Sequence, residues 1–252
     1  MFNAKEETKK IIEFIRDYYK KNNLGGAILG ISGGKDSAVV AALMVKALGC
    51  ENVIGVTMPC HSHEEDKNDA KLISDYYGFK LVNFDLTKIF DEYQNEATKM
   101  CDYDINNATN SNINLKPRLR MATLYYLAAL YTQMLNKPYL VVGTSNKSEL
   151  YVGYFTKGGD SVHDIAPIAD FTVDEVIKIG EVLQVPEKVL YKTPSDGLSN
   201  MTDEDKLGVT YRDIETYMEN PNNVLEETRI KIKKLHDNNQ HKFNIPTYKK
   251  GR

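Results

Sequence analysis

Cysteine is scarce in this chain. Its 252 residues hold three, Cys50, Cys60 and Cys101, widely spaced and without a C-x-x-C pair. That argues against a structural zinc site and a disulfide framework, and it fits a reducing compartment. No apolar run approaches the length needed to span a bilayer. The first residues, Met1 to Glu7, are charged and carry no signal-peptide apolar core. An excess of positive charge is also missing: the formal net charge is −3, so a general nucleic-acid-binding surface is not indicated. No serine–histidine–aspartate triad is visible. These absences describe a soluble, cytoplasmic chain with neither a membrane nor a nucleic acid as its expected partner.

What is present suits one large α/β domain. Hydrophobic residues make up 42% and charged residues 27%, enough apolar material at this length for a sizeable core. Ile11, Ile12, Phe14, Ile15 and Tyr18 recur at helical spacing, so an amphipathic helix opens the chain. Strand-like runs at 27–31, 52–58, 79–84 and 139–142 alternate with helical segments at 36–48, 65–77, 87–100 and 116–135. Regular alternation predicts βαβ units, hence a doubly wound, mainly parallel sheet with helices on both faces, a Rossmann-like architecture. Residues 102–114, rich in asparagine, read as a loop. Residues 153–164 read as a glycine-rich loop. Thr172 with Glu175 three residues on reads as the cap of a helix ending near Leu183. Residues 193–203 read as a further loop, and two helices complete the chain. The C-terminal stretch is locally basic (Lys231, Lys233, Lys234, Lys242, Lys249, Lys250, Arg252).

The segment Ser32-Gly-Gly-Lys-Asp-Ser37 stands between the first strand and the first long internal helix. A strand, a glycine turn with hydroxyls and a helix N-terminus make a seat for an anion, because N–H groups there are unpaired and the dipole favours negative charge. Asp36 would repel a bare phosphate, so it makes sense beside a divalent cation. A Walker A loop is excluded: Gly30 to Gly34 is one residue short, and Lys35 is followed by aspartate.

The run resembles the S-G-G-x-D-S pyrophosphate loop of the N-type ATP pyrophosphatases, which cleave ATP between the α- and β-phosphates. Five further segments occur in the right order. They are Lys116-Pro-Arg-Leu-Arg-Met121, Gly143-Thr-Ser-Asn-Lys-Ser-Glu149, Gly153-Tyr-Phe-Thr-Lys-Gly-Gly-Asp160 with Asp164 and Pro167, Thr193-Pro-Ser-Asp-Gly-Leu198 followed by Asp203 to Tyr211, and His241-Lys242. Together they resemble the ammonia-dependent NAD synthetases over nearly the whole chain. The resemblance implies a carbon–nitrogen ligase that consumes ATP, deamido-NAD and ammonia, requires Mg²⁺, and works as a homodimer. It implies one synthetase domain over residues 1–252; only one helix precedes residue 27, leaving nothing for a glutaminase domain. A separate glutaminase partner stays open.

The resemblance also implies residue roles. Gly30, Ile31, Ser32, Gly33, Gly34, Lys35, Asp36, Ser37, Thr144 and Ser195 become ATP contacts, with Lys35, Asp36 and Ser37 catalytic. Asp36 and Glu149 become the Mg²⁺ ligands. Arg118, Lys157, Asp164, His241 and Lys242 become contacts to deamido-NAD. Read without the family, Glu149 is a helix N-terminal charge, Thr144 a turn or cap hydroxyl, and His241-Lys242 a basic tail. Arg118 and Arg120, expected in the first turn of a helix, need an anionic partner there; Arg120 is open to a plain salt bridge. Residues 196–205 are expected to form a mobile cover over the site. The aromatics of 116–135 fit either a dimer interface or the core. One departure is plain: many relatives carry an ATP-contacting lysine where this chain has Val173. Lys35 is a candidate to supply that charge. Two rival uses of the loop stand beside this one. A tRNA-modifying enzyme calls for a basic surface or a reactive cysteine pair, and a non-enzymatic nucleotide sensor leaves Asp36 and Glu149 without a chemical task.

Overall fold

The computed structural model describes residues 2–62, 64–100, 103–193 and 202–251. The opening helix α1 (Ala4–Lys21) starts at Asn3, whose side chain accepts the Glu6 N–H, and it buries Ile11, Ile15 and Tyr19. The sheet is then laid down in βα steps. Strand β1 (Gly26–Gly30) leads into α2 (Lys35–Leu48), β2 (Val53–Thr57) into α3 (Glu64–Tyr77), and β3 (Lys80–Asn83) into α4 (Thr87–Thr98). After the long α5 (Thr109–Leu135) comes β4 (Tyr139–Val141), followed by α6 (Lys147–Val152) and α7 (Val173–Leu183). The short α8 (Glu187–Leu190) and α9 (Asp203–Leu207) precede α10 (Tyr211–Glu219) and α11 (Glu226–Asn239).

All strand pairings are parallel, in the order β3-β2-β1-β4, with Ile28 opposite both Ile54 and Val141. β1 and β2 are buried on both faces, which is why they read as continuous apolar runs rather than alternating ones. On one face Leu29 and Val53 pack with Ala41, Met44, Ile15 and Ile179 of α2, α1 and α7. On the other, Ile28, Val56 and Val141 pack with Phe90, Leu119 and Leu127 of α4 and α5. A third cluster, Val152, Val173, Val209, Tyr211, Ile214 and Ile232, ties α6 and α7 to the C-terminal helices. The expected doubly wound parallel sheet is therefore present. Its strand order reverses between β1 and β4, and ligands in such sheets bind where the order reverses, beyond the strands' carboxyl ends.

Two sequence expectations are corrected. The asparagine-rich segment 102–114 is not all loop: among the described residues a 3₁₀ turn, Ile105–Asn107, precedes α5, which begins at Thr109. Asparagine side chains stitch this extension, Asn112 to the Ile105 carbonyl at 2.9 Å and Asn114 to the Asn110 carbonyl at 2.7 Å, and Pro117 is carried inside the helix. Local hydrogen bonding has overridden low helix propensity. Arg118 and Arg120 consequently lie well inside α5, not in its first turn, and the expected conflict with the helix dipole does not arise. The second correction is at the C-terminal end, where the short α9 precedes the two expected helices. The Thr172–Glu175 cap is as expected, a reciprocal capping box.

Candidate active site

The loop after β1 is fixed by its own hydroxyls. Ser32 Oγ lies 3.1 Å from Ser37 Oγ and accepts the Gly34 N–H at 3.2 Å, while Ser37 Oγ donates to the Gly34 carbonyl at 3.0 Å. Ile31 N donates to the Val56 carbonyl, anchoring the loop's first residue to β2. Gly33 has φ +82°, and a Cβ there would stand 2.5 Å from the Asp66 carbonyl oxygen of α3, so only glycine fits. Gly34 is the N-cap of α2 and makes no side-chain cap bond, which leaves the first N–H groups of α2 for an anion or solvent.

Two carboxylates meet where β1 and β4 end. Asp36 stands in the first turn of α2 and Glu149 in the first turn of α6. Asn146 joins them. Its side-chain amide donates to Asp36 Oδ1 at 3.2 Å, its backbone N–H to Glu149 Oε2 at 3.1 Å, and its Oδ1 accepts the Glu149 N–H at 3.0 Å. The helix N-terminal position open to Glu149 from sequence is thus present, with a reciprocal capping box to Asn146 added, beside its proximity to Asp36. Burial, reinforced by the Asp36 charge, pushes the Glu149 carboxyl well above the usual range, against the Lys35 ammonium and the Asn146 N–H. Lys35 is only 5% exposed; its Nζ is 3.2 Å from Asp36 Oδ2 and 5.8 Å from the centre of the Tyr211 ring. Burial pulls the Lys35 pKa down, but Asp36 and Glu149 outweigh it and the net direction is upward. Asp203, buried on α9, accepts a hydrogen bond from Tyr154 at 3.0 Å. Among the described residues no group of three or more His, Cys, Asp or Glu is arranged to hold a metal ion. Two carboxylates beside an anion seat fit Mg²⁺ nonetheless, since that ion keeps waters and takes oxygens from phosphates.

From this corner a cleft of about 630 Å³ runs over the strand ends. Thr144 lines it, as do Arg120 and Met121 of α5, Phe155, Asp160, His163, Lys192 and Lys242. Val173 does not: it is the buried first residue of α7, its N–H directed to Ser148 Oγ at 3.3 Å. Lys35 turns toward the carboxylates.

Of the residues expected at the acceptor only Lys242 lines the cleft; Arg118, Lys157 and His241 lie outside its lining, Arg118 in a separate hollow with Tyr103 and Asn112. Arg118 Nε donates to the Lys157 carbonyl at 3.3 Å, and Lys157 Nζ to the His241 carbonyl at 2.8 Å. Lys242 Nζ donates to the carbonyls of Gly153 and Phe155 at 2.6 and 2.7 Å. Burial lowers the Lys242 pKa, partly offset by Asp160. Burial raises that of Asp160, opposed by the Thr156 N–H, Arg120 and Lys242. Asp164 is likewise outside the cleft lining. It accepts the Val141 N–H of β4 at 2.8 Å and the Tyr125 hydroxyl at 3.1 Å. Burial, with the Asp164 charge adding to it, pushes that hydroxyl up to about 12, so it stays a donor at neutral pH. Ser195, most of the expected cover (196–201) and Cys101 lie outside the described residues; Cys50 and Cys60 are free thiols.

Sequence reading missed several groups. Lys192 lies 2.9 Å from Asp66 and 2.7 Å from Asp69, and Lys188 lies 2.6 Å from the fully buried Asp69. No spacing announces a pairing across so much chain. Asn146 was legible: an N-cap residue with glutamate three positions on is a capping-box pattern.

The fold and this corner define an α/β protein with a glycine-and-hydroxyl loop at a helix N-terminus, beside paired acids, at a topological switch point. The NAD synthase family model matches residues 7–246, and the chain belongs to that family. It is 38% identical over 245 residues to an NH3-dependent NAD+ synthetase of Carboxydothermus hydrogenoformans, covering 97% of each chain. Among solved structures it is similar to an NMN synthetase from Francisella tularensis, with TM-score 0.86 and 29% identity over 99% of both chains. It is also similar to an NH3-dependent NAD synthetase from Campylobacter jejuni, with TM-score 0.79 and 29% identity over 99% of this chain and 100% of that one.

Proposed function

We propose that this protein amidates deamido-NAD with ammonia, using ATP and releasing AMP and pyrophosphate, as the final step of NAD biosynthesis. The observation that carries the reading is the Ser32–Ser37 anion seat joined to the half-buried Asp36–Glu149 pair, in a chain of the NAD synthase family.

A carboxylate is a poor acyl donor at neutral pH. In the first step the nicotinate carboxylate oxygen attacks the α-phosphorus of ATP, the bond from that phosphorus to the bridging oxygen breaks, and pyrophosphate leaves. The product is an acyl-adenylate. Ammonia then attacks the acyl carbon, the bond to the AMP oxygen breaks, and nitrogen loses one proton to solvent. Gly30, Ile31, Ser32, Gly33, Gly34, Lys35, Asp36, Ser37, Thr144 and Ser195 hold ATP, the backbone N–H groups of the loop stabilising the departing pyrophosphate. Asp36 and Glu149 hold Mg²⁺, which when bound neutralises phosphate charge. Arg118, Lys157, His241 and Lys242 orient the acceptor, and Asp164 keeps lone pairs for ribose hydroxyls. Positioning and charge stabilisation account for the enzyme's contribution.

We read the protein as a cytoplasmic homodimer. Tyr126, Leu130 and Met134 leave an exposed apolar stripe on α5 that suits an interface. Among the described residues no helix is long and apolar enough to cross a membrane. Light scattering at micromolar concentration tests the dimer, and a monomer there refutes it.

The similarity to an NMN synthetase favours a second acceptor, the mononucleotide form of the same acid. One assay separates the readings: ATP and Mg²⁺ with either acceptor and either ammonium or glutamine, following product, AMP and pyrophosphate together. NAD and AMP formed one-for-one with deamido-NAD and ammonium supports the proposal. A preference for the mononucleotide moves the assignment to that acceptor, and absence of AMP with both refutes adenylation.

A further inference from the structure

Position 35 is an odd place for a lysine. It opens α2, where positive charge opposes the helix dipole, and it is buried, where a lysine is found only when paired. Its ammonium lies 3.2 Å from Asp36 Oδ2 and in the field of Glu149, against the Tyr211 ring. The other Asp36 oxygen and the Glu149 carboxylate are both taken up by Asn146. Asn146 therefore fixes the spacing of two half-buried acids, and the Lys35 ammonium is paired with Asp36 and lies in the field of Glu149.

We propose that Lys35 is an internal counter-ion of the Asp36–Glu149 pair and sets its selectivity for metal delivered with nucleotide. The ammonium holds the two carboxylates together when no metal is bound, and it repels a free divalent cation. A cation chelated by a triphosphate arrives with compensating negative charge and meets less repulsion. The free protein thus discriminates against metal alone and accepts the metal–triphosphate complex. This inference rests on the reading of Asp36 and Glu149 as metal ligands.

The test is Mn²⁺ binding to the nucleotide-free full chain, followed by electron paramagnetic resonance and calorimetry, with folding checked by circular dichroism. Removing one charge at a few ångströms inside a protein is worth at least about tenfold in the affinity of a divalent ion. Lys35→Met is therefore expected to tighten Mn²⁺ binding by at least about tenfold, and Lys35→Arg to leave it near wild type. Lys35→Gln, neutral and polar, gives the same comparison should methionine unfold the chain. Unchanged or weaker binding in the neutral variant, with Asp36→Asn reducing it, overturns the counter-ion role and leaves the metal site standing. Asp36→Asn without effect on Mn²⁺ in the neutral background overturns the metal reading itself, and this inference with it.

Discussion

The two ends of the cleft are built differently. At the phosphate-loop end, Ser32, Gly34 and Ser37 bond one another within six residues, β1 and β2 anchor them, and the nearby Asp36 and Glu149 are spaced by one asparagine. Toward the other end, of the residues expected at the acceptor only Lys242 lines the cleft; Arg118, Lys157 and His241, outside its lining, join it from three distant segments through contacts to backbone carbonyls that fasten residues 241–242 to the 153–157 loop. The first end has a fixed geometry dictated by a short stretch of chain. The second is a seam whose cations carry structure as well as charge. Under the proposed function, chemistry that tolerates little displacement falls to the first, and recognition of a large acceptor to the second.

Four substitutions sharpen or break that contrast. Asp36→Asn is expected to lower kcat by at least about a thousandfold, the scale of losing a main electrostatic group, with an unchanged circular dichroism spectrum. Retained turnover would remove Asp36 from the site. Asp69→Ala takes the buried acid from Lys192 and Lys188 behind the phosphate loop, and breaking a buried pair costs about 3 kcal/mol. Urea unfolding measures it, and a change under 1 kcal/mol would mean the pairs are solvated. Lys242→Met is expected to raise KM for the acceptor about tenfold with kcat nearly kept, as loss of an interaction made equally in ground and transition states. A fall in kcat with KM unchanged would erase the distinction between the ends. Smallest is Asn146→Ala, which removes the cap of α6 for about 1 kcal/mol, read as a lowered melting temperature.

Much of the fold was legible because it rests on local signals. The runs at 27–31 and 52–58 carry the continuous apolar stretches Ala27–Ile31 and Val53–Val56, as strands buried on both faces do, and helix stops fell at Gly49 and Gly78. The phosphate loop was legible for the same reason, being one contiguous stretch. Residues 109–114 were not, because asparagine favours loops on its own and became helical through its side-chain bonds and its packing. The direction of Lys35 was hidden too: nothing in its neighbours in sequence says that α6 brings Glu149 to face it. Asp164 lay inside a recognised motif, yet its hold on β4 follows from the crossing of two distant segments.

That hold has a consequence for the edge of the sheet. β4 closes one side of the sheet, and a bare edge strand invites pairing with another chain and, from there, aggregation. Asp164 takes the Val141 N–H, Gly143 N donates to the Ile165 carbonyl, and Val142 bridges Ile165, so a short length of this chain already occupies that edge. At the opposite side β3 is brief and carries exposed Lys80, a charge that discourages strand addition. With both margins guarded, the sheet offers no bare edge for another chain to extend.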